Sequence, residues 1–138
     1  MASIPVKLLH SPCQSFEARL APETGSAWDI SHASLALNGL SFGNRRFGWH
    51  GAWSSCSRYF MINEWLNVHT ARCPDMQLLV IDVHEGKESI VEKVSSGFIE
   101  PMGFRDEEIK YCKIASGIGN RSVHHLPVSA LTEWRVVR

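Results

Sequence analysis

A chain of 138 residues, 44% apolar and 20% charged, suits one ordinary domain spanning residues 1–138 and is too apolar for a disordered segment. Its fourteen basic and fourteen acidic residues cancel, which argues against a nucleic-acid binder, whose affinity rests on neutralising phosphates. No apolar run approaches the ~20 residues of a membrane-spanning helix, and the first residues lack the charged start and apolar stretch of a secretion signal, so a soluble, cytoplasmic protein is expected, with no membrane partner.

Turn signals punctuate the chain at Pro22–Gly25, Asn38-Gly39, Gly43-Asn44, Pro74-Asp75, Glu85-Gly86, Gly117–Asn120 and Pro127. Between them, short apolar stretches predict strands at Val6–Leu9, Ser15–Leu20, Ser34–Phe42, Arg58–Leu66, Gln77–Val83, Ser89–Val94, Phe98–Phe104, Ile109–Ala115, Ser122–Val128 and Glu133–Val137. Frequent turns and short strands together predict an all-β fold: a single small domain, a sandwich or open barrel of short, mostly antiparallel strands. The sharpest hairpin is Val83 to Ser89, where Gly86 is free to take a positive φ. Two segments leave an α+β alternative with one or two short helices. Ser54–Leu66 has a capping serine and Tyr59, Ile62 and Leu66 at helical spacing, and Arg105–Ala115 starts acidic and turns basic.

Met76–Val94 and Trp53–Leu66 place apolar side chains at odd and even positions alike. A strand of that kind is covered on both faces, either within its own domain or against another molecule. Trp53 and Phe104, and likewise Phe60 and Tyr111, are 51 residues apart, each pair flanking a polar segment, Ser-Ser-Cys-Ser-Arg-Tyr and Arg-Asp-Glu-Glu-Ile-Lys. With the Leu-Leu-Val-Ile-Asp-Val-His-Glu-Gly-Lys that follows, Trp53–Val94 resembles a β-propeller blade, and Phe104–Val137 a poorer second copy. The Gly-His and Trp-Asp marks of the best-known blade family are missing. The resemblance implies strands packed face to face. At ~40–45 residues per blade the chain holds material for about three, short of a closed propeller.

Motifs for chemistry are few. Gly39–Gly43 matches Gly-x-Ser-x-Gly, but Asn-Arg-Arg-Phe-Gly-Trp-His after it is no helix, so Ser41 is expected on a hairpin edge rather than a nucleophile elbow. Seven histidines (His10, His32, His50, His69, His84, His124, His125) show no zinc spacing; His124 and His125 would point to opposite faces of a strand, and His69 with Cys73 would share a face only on a helix. Ser116–Asn120 lacks the lysine and longer glycine spacing of a phosphate loop. Cys13, Cys56, Cys73 and Cys112 form no Cys-x-x-Cys pair and are expected as reduced thiols. No metal, cofactor or catalytic set is expected.

Charge and aromatic residues are unevenly placed. Between Asn44 and Asn63 lie Arg45, Arg46 and Arg58 with no carboxylate, interleaved with Phe47, Trp49, Trp53 and Tyr59. Between Asp82 and Glu108 lie eight carboxylates (Asp82, Glu85, Glu88, Glu92, Glu100, Asp106, Glu107, Glu108) against Lys87, Lys93 and Arg105. Arginine with aromatics marks interface hot spots, and an acidic segment attracts a basic partner; alternatively the tryptophans join the core and the arginines pair with the acidic segment. The resulting expectation is a non-catalytic protein-binding domain, concretely an immunity-type protein that neutralises a basic toxin. Asp82, Glu85, Glu88, Glu92, Glu100, Asp106, Glu107 and Glu108 would supply charge and Trp49 and Trp53 the anchors, with Arg45 and Arg46 also in the partner-binding surface. Reversing Glu88, Glu92 and Glu107 to lysine would then slow association. The alternatives are a small β-barrel enzyme or ligand binder using scattered histidines and glutamates, and a piece that completes a larger β assembly.

Overall fold

The computed structural model describes residues 6–22, 32–66, 75–115 and 120–138. The strands run β1 (Lys7–His10), β2 (Glu17–Pro22), β3 (Ala33–Leu37), β4 (Leu40–Ser41), β5 (Arg46–Trp53), β6 (Tyr59–Trp65), β7 (Met76–Asp82), β8 (Lys87–Val94), β9 (Gly97–Arg105), β10 (Glu108–Ala115), β11 (Arg121–Pro127) and β12 (Arg135–Val136), with one 3-10 turn at Val128–Ala130. All strand pairs are antiparallel. Among the described residues they form a nine-stranded sheet in the order β1-β2-β3-β5-β6-β7-β8-β12, with β4 beside β3, and a three-stranded sheet β11-β10-β9. The fold is all-β, and both segments that admitted a helix are strands. No helix in the described residues is long and apolar enough to cross a membrane.

β6 and β7 answer why the strands are apolar on both faces. Phe60, Ile62, Leu79 and Ile81 face one core with Leu20, Leu35, Leu37, Phe42 and Phe47. Met61, Met76, Leu78 and Val80 face the other, with Ile99, Ile109, Tyr111 and Val128 of the second sheet and its flank. All seven residues of β7 are buried. Each large apolar side chain fully buried this way contributes about 1.5–3 kcal/mol, so a central strand gains most when neither face is left in water. The covering layers lie within one chain. The run carrying the propeller resemblance is the β6-β7-β8 meander, and the 51-residue echo places Phe60 on β6 and Tyr111 on β10, in different sheets.

The large sheet curls around the first core and brings β1 against β5. Lys7 Nζ on β1 donates to Trp49 O on β5 at 2.9 Å, and Trp53 Nε1 donates to Leu9 O at 2.8 Å. On the far side, Val137 N donates to Gly86 O at 3.0 Å, and the Val137 side chain packs on the same core. The second sheet lies across the opposite face, with β9 against β5, β6, β7 and β8.

Three details differ from the sequence expectation. The stretch Ser34–Phe42 is two strands, because Asn38 (φ 44°) and Gly39 (φ 89°) both take positive φ and turn the chain into a tight hairpin. Ser41 thus sits on the short edge strand β4, with no helix after it. Arg46–Trp53 is a strand that the apolar pattern did not predict. Its glycines are there for closeness: a Cβ on Gly48 would lie 2.0 Å from Asn63 Oδ1, and one on Gly51 2.3 Å from Phe60 Cζ, so β5 can lie on β6 only without side chains at those two points. The terminal strand shrinks to Arg135–Val136. At Gly86 the expected hairpin forms, with φ 66°. His69, Cys73 and the Ser116–Gly119 part of the glycine loop lie outside the described residues.

Candidate functional site

At one end of the sandwich the β7–β8 and β9–β10 turns and the segment after β11 enclose a cleft of about 410 Å³. Its floor is apolar. Tyr59 and Trp134 face each other with ring centres 6.2 Å apart, flanked by Val128 and Leu131. The 3-10 turn holds this floor: Val128 N donates to Glu107 O, Leu131 N to Val128 O, and Trp134 Nε1 to Leu131 O at 3.0 Å. Burial raises the Tyr59 phenol above its ordinary pKa, despite the opposing charge of Arg58, so the ring is neutral near pH 7.

The rim carries charge of two kinds. Arg58 and Asp82 form a closed pair, Nη2 to Oδ2 at 2.8 Å and Nε to Oδ2 at 3.1 Å, while Asp82 Oδ1 accepts the N–H groups of His84 and Glu85. The bond to Asp82 holds the Arg58 pKa above normal, and its guanidinium lies 5.4 Å from the Tyr59 ring centre. Glu85, Glu107 and Lys87 also line the rim. The side chains of Glu85 and Glu107 make no hydrogen bond or ion pair among the described residues, and both are exposed. Asp106 and Glu108 flank Glu107 on the same turn, both exposed. Carboxylates and aromatic rings lining one cleft offer both charge and ring faces, the chemistry that suits a cation on an apolar stem such as lysine or arginine.

The structure therefore splits the expected acidic surface. Glu85, Asp106, Glu107 and Glu108 come together at this end, and Glu108 stands 3.3 Å from His125 in a half-exposed pair. Glu100 is exposed on β9, away from the cleft lining. Asp82 and Glu88 are 5% and 1% exposed, and each already holds an arginine. Glu92 accepts Tyr111 Oη at 2.8 Å and pairs with Lys113.

Arg45 belongs to a polar cluster inside the curl. Its Nε and Nη2 grip both oxygens of Glu64 at 2.8 and 2.9 Å, its Nη1 reaches Glu88 at 2.8 Å, and its guanidinium lies over Phe42 and Phe47 at 5.4 Å. Gln77 adds a bond to Glu64, and Arg135 one to the other oxygen of Glu88. Burial alone would lower the Arg45 pKa, but the two glutamates hold it well above its ordinary value. Arg46 turns back on Asn44 O and Arg45 O. Trp49 and Trp53, expected as anchors for a partner, pack against the first core, with the Trp53 ring 5.0 Å from Phe60. The arginine-rich segment thus pairs internally, Arg45 with Glu88 and Arg58 with Asp82.

Of the aromatic residues that line the cleft, Tyr59 was noted only as one aromatic of the arginine-rich segment, and Trp134 was missed by sequence reasoning. Tyr59 looks like one more strand aromatic, and Trp134 reaches it from 75 positions along the chain, a separation that no local pattern spans. Two further clefts, of about 440 and 250 Å³, lie beside β10–β11 and beside β12. No described histidine lines any of the three. Comparison of the chain with protein-family models, with curated proteins and with solved structures gives no match.

Proposed function

We propose that the protein is a non-catalytic binding domain that takes a basic side chain of another protein into the cleft over Tyr59 and Trp134. The observation that carries this reading is the pair of cleft-lining carboxylates, Glu85 and Glu107, beside the aromatic rings of Tyr59 and Trp134: Arg58 is already neutralised by Asp82, and Lys87 offsets one of the two carboxylates and leaves the lining net acidic. A lysine or arginine entering there would exchange water for a carboxylate and a ring face. The acidic turn Asp106–Glu108 would speed the approach of a basic surface. Neutralisation of a basic toxin, as an immunity-type protein does, is the concrete biological form of this reading. Among the described residues, the histidine–carboxylate pairs His10–Glu17 and His125–Glu108 are about half exposed and line none of the three clefts.

The test is a tagged capture experiment from the source cells at low and moderate salt, with the wild type beside Glu85→Lys/Glu107→Lys. Both positions are exposed, so the variant should fold as the wild type does. A basic protein held by the wild type, weakened by salt and lost from the variant supports the cleft. A partner held equally by both removes it.

A further inference from the structure

Two turns of this chain are copies of one another. Ser11-Pro12-Cys13-Gln14-Ser15-Phe16 joins β1 to β2, and Ser54-Ser55-Cys56-Ser57-Arg58-Tyr59 joins β5 to β6. In each, the first serine is fully buried. Its N–H donates to the carbonyl of the aromatic five residues on, at 2.9 Å in both, and its hydroxyl oxygen accepts the N–H of that same aromatic, at 3.1 Å from Phe16 and 3.0 Å from Tyr59. The fourth residue is left-handed in each, Gln14 at φ 64° and Ser57 at φ 63°. The cysteine between them is exposed in both, with its sulfur 3.5 Å and 3.3 Å from the hydroxyl of the buried serine.

The two turns also lie against each other. Cys13 N–H donates to Ser57 Oγ at 2.8 Å, the residue next to Cys56, and the Phe16 and Trp53 rings stack with centres 6.3 Å apart. Backbone dimensions then leave the Cα atoms of Cys13 and Cys56 no more than about 10 Å apart, and a disulfide needs about 5.5–6 Å. Closing a bond between them therefore requires the two exposed tips to move together.

We propose that Cys13 and Cys56 form a peroxide-sensitive dithiol, with Cys13 as the attacking sulfur and Cys56 as the resolving one. Ser11 Oγ and Ser57 Oγ each already accept a backbone N–H, so the hydrogen of each hydroxyl is free to point at the Cys13 sulfur. With Ser15 they hold its pKa down at about 6, against an ordinary 9.0. Cys112 is the contrast: it is 4% exposed and burial raises its pKa, which keeps it a poor nucleophile. In the first step the Cys13 thiolate attacks the terminal oxygen of a hydroperoxide, breaking the O–O bond and leaving a sulfenic acid and an alkoxide or hydroxide that takes up a proton. In the second, the Cys56 thiol attacks that sulfur, its proton leaves with the departing hydroxide as water, and the S–S bond closes. Two thiols are oxidised for each hydroperoxide reduced.

The test uses the reduced full-length protein, freed of reductant and treated with one equivalent of hydrogen peroxide at pH 7. Expected are the loss of two hydrogens in the intact mass and one disulfide-linked peptide joining Cys13 to Cys56. Cys13→Ser should slow thiol loss by roughly tenfold or more, as expected when the low-pKa thiolate is removed. Cys56→Ser should stop at a Cys13 sulfenic acid that a 1,3-dione captures. Both side chains are exposed, so both variants should keep the wild-type circular dichroism. A linkage involving Cys73 or Cys112, sulfenic acid accumulating at Cys13 in the wild type, or unchanged kinetics in Cys13→Ser would overturn the proposal.

Discussion

Arg45 Nη1 and Glu88 Oε1 stand 2.8 Å apart inside the curled sheet, although 43 residues of chain separate them. Arg45 precedes β5, Glu88 lies on β8, and β6 and β7 run between these strands in the sheet. Their contact is therefore made across the curl and not along the sheet. With Glu64 on β6 and Arg135 on β12 the pair forms a neutral four-charge cluster that fastens the start of β5 and the C-terminal strand to the same point. Such clusters add little over a well-packed apolar equivalent, but removing Glu88 takes one of two carboxylates from the largely buried Arg45 and the carboxylate from Arg135, which is 56% exposed.

Glu88→Ala is accordingly expected to destabilise the fold by about 1–3 kcal/mol, the cost of leaving buried donors short of an acceptor, and Glu88→Gln by less, since the amide oxygen still accepts from one arginine. Urea unfolding followed by tryptophan fluorescence measures both. A loss below about 1 kcal/mol for Glu88→Ala would mean that this carboxylate is better solvated than the 1% exposure of Glu88 implies. Charge reversal at Glu88 would report on folding before it reported on any partner, which is why the cleft test uses Glu85 and Glu107.

Gly51→Ala should cost about 1–3 kcal/mol, the usual range for overpacking. The new methyl would meet Phe60 Cζ at 2.3 Å, and Phe60 is fully buried against Trp53. Shortening that ring relieves the clash, so Gly51→Ala/Phe60→Leu should lose less than the sum of the two single variants. Additive losses in a double-mutant cycle would show that Gly51 matters for its backbone and not for the approach of Phe60.

The Glu92–Tyr111–Lys113 cluster gives stability two pH edges. Burial opposes ionisation of Glu92, yet its bonds to Lys113 and Tyr111 prevail and lower its pKa below the ordinary 4.5. A carboxylate depressed in the folded state contributes fully above its unfolded pKa, and that contribution is lost as pH falls through the folded one. Tyr111 is shifted the other way: burial, then Glu92, push it up to about 12 from 10.0. Its contribution is present below pH 10 and is lost as pH rises towards 12. Glu92→Gln should flatten part of the acid limb, and Tyr111→Phe the alkaline limb between 10 and 12, each readable from urea midpoints across pH. An unchanged alkaline limb in Tyr111→Phe would place that titration on other groups.

Cys13 should alkylate with a pH profile centred near 6, the value to which its hydroxyl neighbours lower it. Removing a donor weakens the stabilised thiolate, so Ser11→Ala should move the midpoint upward. Iodoacetamide rates read site by site by mass spectrometry give the profile. A midpoint for Cys13 that stays put in Ser11→Ala would remove the buried serine from its activation.

Much of the architecture was legible because it depends on short-range chemistry. Turn residues cut the chain into strand-length pieces, and Gly86 marked the β7–β8 hairpin on its own. The two-faced runs at Phe60–Ile62 and Leu78–Ile81 implied covered strands before any layer was known. β5 was not legible, because its glycines at 48 and 51 read as a loop until Asn63 and Phe60 are seen lying against them.

The candidate site divides along the same line. Composition determined that arginines and carboxylates cluster in separate stretches, and that a neutral chain must either pair them or present them. Which carboxylates pair was decided by the curl and the sheet pairing, which send Glu88 inward to Arg45 and Asp82 to Arg58 while the turns carry Glu85 and Glu107 outward. Trp134 became part of the cleft because the chain after β11 folds back on Tyr59. The reason is one of range: turn chemistry and apolar pattern act over a few residues, whereas burial of a charge depends on what the rest of the chain brings beside it.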